Sequence, residues 1–239
     1  PQFPKPVMVR REVLQMLKGI YTATFCPAVA LHLVDAGWSR AYGGLGGYGW
    51  GYLVFTFFLV WIGSDLYEFA YHRLGHTRSF WWSQHRPHHA FSNPSPFSVI
   101  ADDHLDQFIR SAPLLFIPML MPINMDLLFL TYGAFFYGYG VYLHWGYELR
   151  WPDAHHPWIN TSFQHYLHHA RSTLNKPYHT GFFFKLWDRL AKSEYRAGPD
   201  ECLCARCCGA RGERTRERFD AVEKPDYSVL LSPSFWLRG

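Results

Sequence analysis

Charged residues are spread very unevenly along this 239-residue chain, and the gaps between them predict its architecture. Between Arg40 and Asp65 lie 24 residues without Asp, Glu, Lys or Arg, including Trp50-Gly51-Tyr52-Leu53-Val54-Phe55-Thr56-Phe57-Phe58-Leu59-Val60-Trp61-Ile62. A helix of about 20 apolar residues crosses the hydrocarbon core of a bilayer, so Trp50–Tyr71 reads as a span. Between Arg110 and Glu148 the single charge is Asp126, within Pro122-Ile123-Asn124-Met125-Asp126. Proline and asparagine followed by an acid read as the turn of a helical hairpin with apolar arms. The first arm, Ser111–Met121, is short and carries Pro113 and Pro118, which predicts a kink. A fourth uncharged stretch, Gly19–Val34, has 16 residues and is marginal alone. Buried helices of a large soluble domain are the competing reading, and the length of the strongest stretch disfavours it.

Taking all four stretches as crossings puts residues 1–18, 73–110 and 145–239 on one face. These regions hold 4, 4 and 14 basic residues, the loop between the first two spans holds Arg40, and the hairpin tip holds none. With 22 of 23 Lys and Arg on one side, that side is assigned to the cytosol. The fold expected is an all-α polytopic membrane protein, with about four transmembrane helices and a helical, histidine-rich cap on the cytosolic face. The mean hydropathy of −0.15, which taken alone resembles a soluble protein, averages apolar spans with this polar cap. A formal charge of +4 is too mild to imply nucleic acid. Five cysteines are too few, and odd in number, for a disulfide-stapled secreted scaffold.

The same arrangement gathers the histidines. Five of the fourteen fall within eighteen residues: His72, His76, His85, His88 and His89. His144 ends the hairpin, and His165, His168 and His169 follow. An even number of crossings separates the two groups, so both emerge on the basic face. The spacings i, i+4 (His72, His76) and i, i+3, i+4 (the other two sets) aim side chains to one side of a helix. Nine imidazoles exceed one tetrahedral site, so two metal ions are the economical expectation, with iron, copper, nickel and zinc all open. Asp65 and Glu68 share a stripe with His72 and His76. They are expected to accept the remaining imidazole N–H groups, with ion pairs to Arg73 or Arg86 as the alternative.

These residues carry a resemblance. His72-Arg73-Leu74-Gly75-His76, His85-Arg86-Pro87-His88-His89 and His165-Tyr166-Leu167-His168-His169 resemble the three histidine boxes of the fatty acid hydroxylase and sterol desaturase superfamily. Asn93-Pro94-Ser95-Pro96-Phe97, Trp158-Ile159-Asn160 and Trp187-Asp188-Arg189-Leu190 are similar to segments of its sterol delta-5 desaturases (lathosterol oxidases). The likeness covers roughly residues 10–192. It implies a non-haem centre of two iron ions bound by His72, His76, His85, His88, His89, His144, His165, His168 and His169, with no catalytic residue beyond these ligands. It further implies O2-dependent desaturation or hydroxylation of a lipid entering from the bilayer, with a sterol and delta-5 desaturation as the expected case. Electrons would come from a haem carrier and its NAD(P)H reductase, and the expected location is the endoplasmic reticulum.

Residues 1–192 therefore read as a membrane-embedded oxidase domain, and 193–239 as a Cys/Arg-rich extension. Asp103-His104 stands where the family usually has His-Pro, and His104 is not counted as a ligand. The stretch from His169 to Trp187 is longer than in delta-5 desaturases. His32, His155, His156 and His179 read as surface or structural residues. In the extension, Cys202, Cys204, Cys207 and Cys208 form a C-x-C-x-x-C-C cluster beside Arg206, Arg211, Arg214, Arg216 and Arg218. Zinc binding and acylation are both open for it, and a plain reduced tail is the favoured reading. Pro225–Gly239 reads as an extended aromatic segment able to dock on a partner. The second functional hypothesis is a family member serving as an accessory subunit of a larger membrane complex, for example in the mitochondrial inner membrane. The altered Asp103-His104 position and the added tail motivate it. The sequence opens at Pro1 without methionine, consistent with a removed targeting segment.

Overall fold

A computed structural model of the protein describes residues 3–198 and 200–237, so Pro1, Arg238 and Gly239 lie outside the described residues. The described residues are mostly helical, with two short strands. Its first helix, α1 (Pro6–Asp35), starts with proline at its first turn and absorbs Pro27 without ending. After β1 (Ala41–Tyr42) comes α2 (Gly49–Thr77). Both long helices are apolar enough to cross a membrane. Gly19–Val34, marginal by itself, is thus the second half of a 30-residue helix.

Helix α2 is two helices in chemical terms. At ~1.5 Å per residue the whole helix is about 44 Å long, more than the ~30 Å of a bilayer core, so its last turns extend beyond it. The buried residues of the later part are largely polar: Ser64, Asp65, Glu68, His72 and His76. Along the early part, Val54, Phe55, Phe58 and Leu59 point outward. Trp38 and Trp50, at the end away from the histidines, are 79% and 70% exposed, as tryptophans at a membrane–water interface are.

Next come α3 (Ser79–His89), a 3-10 turn at Pro96–Ile100, α4 (His104–Ser111) and α5 (Pro113–Leu120). Asp103 caps α4, its side chain accepting from the His104 N–H at 2.7 Å. The departure from the family's His-Pro is therefore a helix start. The first hairpin arm begins at His104 rather than Ser111, with its break at Ala112-Pro113, where a proline opens the second piece. The tip carries β2 (Ile123–Asn124), which pairs in parallel with β1 through Ala41↔Ile123 and Tyr42↔Asn124. The tip therefore lies against the loop between α1 and α2, at the end opposite the histidines. The return arm is α6 (Met125–Thr131), a π-helical stretch (Tyr132–Gly138) and α7 (Tyr139–Leu143). Val60, Leu114, Ile123, Leu128 and Tyr132 form the core that binds the hairpin to α2.

The remainder is α8 (Ser162–Arg171), α9 (Leu186–Leu190), α10 (Ala205–Ala210), α11 (Thr215–Asp220), a 3-10 turn at Tyr227–Leu231 and α12 (Pro233–Leu237). The part of Pro225–Gly239 that is described, up to Leu237, is not extended. It folds back on its own N-terminal helix, where Arg10 donates to the Phe235 carbonyl and stacks on that ring. Tyr227 Oη donates to the Pro4 carbonyl at 2.6 Å.

Candidate metal centre

The three histidine boxes lie on α2, α3 and α8, and His144 caps α7. Their nine side chains sort into two buried groups. His72, His76, His85, His89 and His168 form one; His88, His144, His165 and His169 form the other. Within each group the ligand atoms lie within 4.8 Å of one another, close enough for a metal ion. The i, i+3, i+4 spacing produces this division, because the middle residue of each triplet points away from its neighbours. His88 leaves His85 and His89, and His168 leaves His165 and His169. The groups adjoin, with the rings of His89 and His169 stacked at 5.0 Å.

Fixed acceptors lie beside Nδ1 of six of the nine rings. His72 Nδ1 is 3.0 Å from the Thr180 carbonyl, His76 Nδ1 3.3 Å from that of Thr173, and His168 Nδ1 2.7 Å from that of Tyr178. His144 Nδ1 is 2.7 Å from the Gly140 carbonyl. His85 Nδ1 is 2.8 Å from Asp106 Oδ2, and His88 Nδ1 3.0 Å from Asp102 Oδ1. A ring that donates through Nδ1 holds a bare lone pair at Nε2. The Nε2 atoms of His72, His76 and His85 are buried without a hydrogen-bond partner. His144 Nε2 faces His165 Nε2 at 2.9 Å and His169 Nε2 at 3.3 Å. Convergent, unpartnered lone pairs repel one another unless a cation joins them, so this donor set fits a metal. Burial first, and neighbouring imidazoles second, hold His88, His89, His165 and His169 well below the usual histidine range. Neutral rings are the form that binds metals.

Asp65 and Glu68 do not play the part the helical stripe predicted. Asp65 accepts from the Phe183 and Phe184 N–H groups at 2.7 and 3.2 Å and from Trp187 Nε1 at 2.7 Å. It holds the segment carrying Thr180, and so reaches His72 only through the backbone. Glu68 pairs with Arg110 at 2.5 Å, not with Arg73 or Arg86. The carboxylates beside the imidazoles are Asp102 and Asp106, which sequence reasoning missed. Asp102, Asp106 and Arg110 step by four residues, the one signal that could have found them. Asp188 anchors the Thr180 segment further, accepting from the Thr180 and Gly181 N–H groups at 3.0 and 2.7 Å. A Cβ on Gly181 would lie 2.6 Å from Asp188 Oδ2, so this approach requires glycine.

The other histidines are placed as follows. His104 Nδ1 is 2.9 Å from Thr22 Oγ1 on α1, and His156 Nδ1 accepts from the Ile159 N–H at 3.1 Å. His179 is buried, accepting from the Tyr195 N–H at 3.1 Å. His155 is exposed but faces three cysteines.

Helices able to cross a bilayer, with a buried all-imidazole donor set beyond their ends, are the arrangement expected of a membrane histidine-box protein. The chain belongs to the fatty acid hydroxylase family, whose model matches residues 57–193. It is 30% identical to the lathosterol oxidase of Rattus norvegicus and 31% identical to that of Homo sapiens, each match covering 81% of this chain and 63% of the relative. It is 30% identical to a delta(7)-sterol 5(6)-desaturase of Schizosaccharomyces pombe over 81% of this chain and 55% of that protein. The chain thus spans less than two thirds of these relatives. No solved structure matches it.

Proposed function

We propose that the protein is a membrane di-iron oxidase that uses O2 to desaturate or hydroxylate a lipid, with a sterol as substrate and delta-5 desaturation as the reaction. The observation that carries this reading is the division of nine imidazoles into two adjoining buried groups, five of the rings hydrogen-bonding through Nδ1 and so offering Nε2. His72, His76, His85, His89 and His168 would hold one iron, and His88, His144, His165 and His169 the other. Iron so held supplies oxygen activation and removal of hydrogen from an unactivated C–H bond. The protein's own residues do the rest. Asp106, Asp102 and the carbonyls of Gly140, Thr173, Tyr178 and Thr180 favour the ligating tautomer of His85, His88, His144, His76, His168 and His72. Burial excludes water and keeps the rings neutral.

An apolar cleft of about 310 Å³ between α2 and α5, lined by Leu59, Val60, Tyr67, Phe116, Ile117 and Leu120, supports a lipid substrate entering from the bilayer. A smaller cavity of about 40 Å³ lies among Glu68, Arg110, Tyr132, Phe136 and Phe182. Ser64 lines the cleft, and the 2.8 Å hydrogen bond from Tyr132 Oη to Ser64 Oγ links the two spaces. The pairing of β1 with β2 supports four crossings, because both hairpin arms then run the same distance as the apolar part of α2. The basic bias supports a cytosolic histidine face in the endoplasmic reticulum, open to an acidic haem carrier and its reductase.

The test is expression in a host lacking its own sterol desaturase, with iron analysis of the purified protein and sterol profiling of the cells. About two irons per chain and a newly oxidised sterol, both lost in His88→Ala and His168→Ala, are expected. Iron-free protein with an unchanged lipid profile overturns the reading.

A further inference from the structure

Beyond the histidine boxes, the fold brings a second kind of ligand set together. His155 Nε2 lies 3.1 Å from Cys207 Sγ, 3.2 Å from Cys204 Sγ and 3.7 Å from Cys202 Sγ. All four ligand atoms fall within 4.8 Å of one another, although His155 is 47 residues upstream of the first cysteine. Hydrogen bonding does not account for the cluster, since one imidazole nitrogen carries at most one proton and three sulphurs surround it. Disulfide pairing does not either, because all the cysteines are free. In a tetrahedral zinc site the Zn–S and Zn–N bonds are about 2.3 and 2.0 Å, which places the nitrogen roughly 3.5 Å from each sulphur. The observed separations bracket that value.

We propose that His155, Cys202, Cys204 and Cys207 form a Cys3His zinc site that fastens the C-terminal extension to the loop between His144 and α8. The surroundings fit a structural metal. Cys202 and Cys204 are buried with Ala154, against Phe163 and Ala197. Three thiolates around Zn2+ leave one net negative charge. The Cys207 N–H, 3.4 Å from Cys204 Sγ, offsets it. So does the Arg211 guanidinium, which donates to the Cys202 carbonyl at 3.0 Å. The loop side is equally tied: Glu148 accepts from the Ala205 N–H at 2.9 Å, and Arg206 pairs with Asp153 at 3.2 Å. The Ala154 carbonyl accepts from Gln164 on α8 at 2.6 Å and from Lys185 at 2.8 Å. The clamped loop is therefore the one that connects His144 to His165. The site would take up the zinc reading left open for the cysteines and give His155 a structural role. Cys208 stands outside it, its sulphur 3.3 Å from Arg211.

The test measures zinc and iron in full-length protein purified under reducing conditions. About one zinc per chain is expected in the wild type and in Cys208→Ser, falling at least tenfold in Cys204→Ser/Cys207→Ser, with iron unchanged. Because a misfolded tail would also lose zinc, a second measurement uses the wild-type protein loaded with cobalt(II) alone. Thiolate-to-cobalt charge-transfer absorption is expected, which the all-nitrogen histidine centre cannot give. Zinc content equal in wild type and double variant overturns the proposal. So does absence of the thiolate–cobalt absorption, or a disulfide or acyl group on these cysteines in freshly purified protein.

Discussion

Replacing Arg110 with methionine tests whether the charges behind the metal centre act as one unit. Arg110 Nη2 lies 2.5 Å from Glu68 Oε1 and its Nη1 3.2 Å from Asp102 Oδ2, with the arginine side chain 14% exposed and the carboxylates 7% and 0%. At an effective dielectric constant near 20, two unit charges 2.5 Å apart attract by about 7 kcal/mol, and desolvation costs several kcal/mol per ion, so the pair's net value is small. Removing one partner is different. It leaves two buried carboxylates uncompensated, and such truncations cost about 3–5 kcal/mol. Glu68→Met/Arg110→Met relieves one of the stranded charges. The double variant should therefore lose at least ~2 kcal/mol less than the sum of the single losses. Denaturant-induced unfolding of the detergent-solubilised protein, followed by tryptophan fluorescence, measures this cycle. Because Asp102 also contacts His88, Arg110→Met should weaken metal retention against a chelator. Single losses under ~1 kcal/mol, or additivity within ~0.5 kcal/mol, would refute the coupled network.

Asp106→Asn keeps the shape of the acceptor beside His85 and removes its charge; metal retention in chelator competition should fall about 10–100-fold, equivalent to roughly 1.4–2.8 kcal/mol. His179, outside the spans, is pushed down to about 4 by burial, against about 6.5 when unfolded. Its contribution to stability is fully present above pH ~6.5 and is lost as pH falls toward 4, by up to ~1.4 kcal/mol per pH unit. Asparagine tolerates its backbone φ of 48°, so His179→Asn should flatten stability measured across that window. A Cβ at Gly19 would lie 1.9 Å from the Ile100 carbonyl oxygen, so Gly19→Ala should cost about 3 kcal/mol by forcing α1 off the turn before α4; wild-type thermal stability would contradict that packing.

What could be read from the sequence was local. The uncharged runs gave the two long helices, because hydropathy over twenty residues needs no knowledge of neighbours. The histidine triplets gave faces, because spacing along one helix fixes direction. The ends were less visible: Gly19–Val34 looked marginal because its helix is completed by the charged turns of Pro6–Lys18. There Glu12 is buried and accepts from the Ser95 N–H at 3.0 Å, an interaction that no window average contains.

The misassignment of Asp65 has a geometric cause. A helical stripe specifies azimuth, but seven residues separate Asp65 from His72, a rise of about 10 Å, so the carboxylate lies too far down the helix to meet the ring. What sits opposite at each level is set by other segments. Beside His72 it is the Thr180 carbonyl, beside His76 the Thr173 carbonyl and beside His168 the Tyr178 carbonyl, and a backbone acceptor has no residue identity to detect. The zinc ligand set was hidden for the related reason that its fourth member arrives from a distant loop. In both sites, local spacing supplied the ligands that share an element, and long-range folding supplied the partners that decide what they can bind.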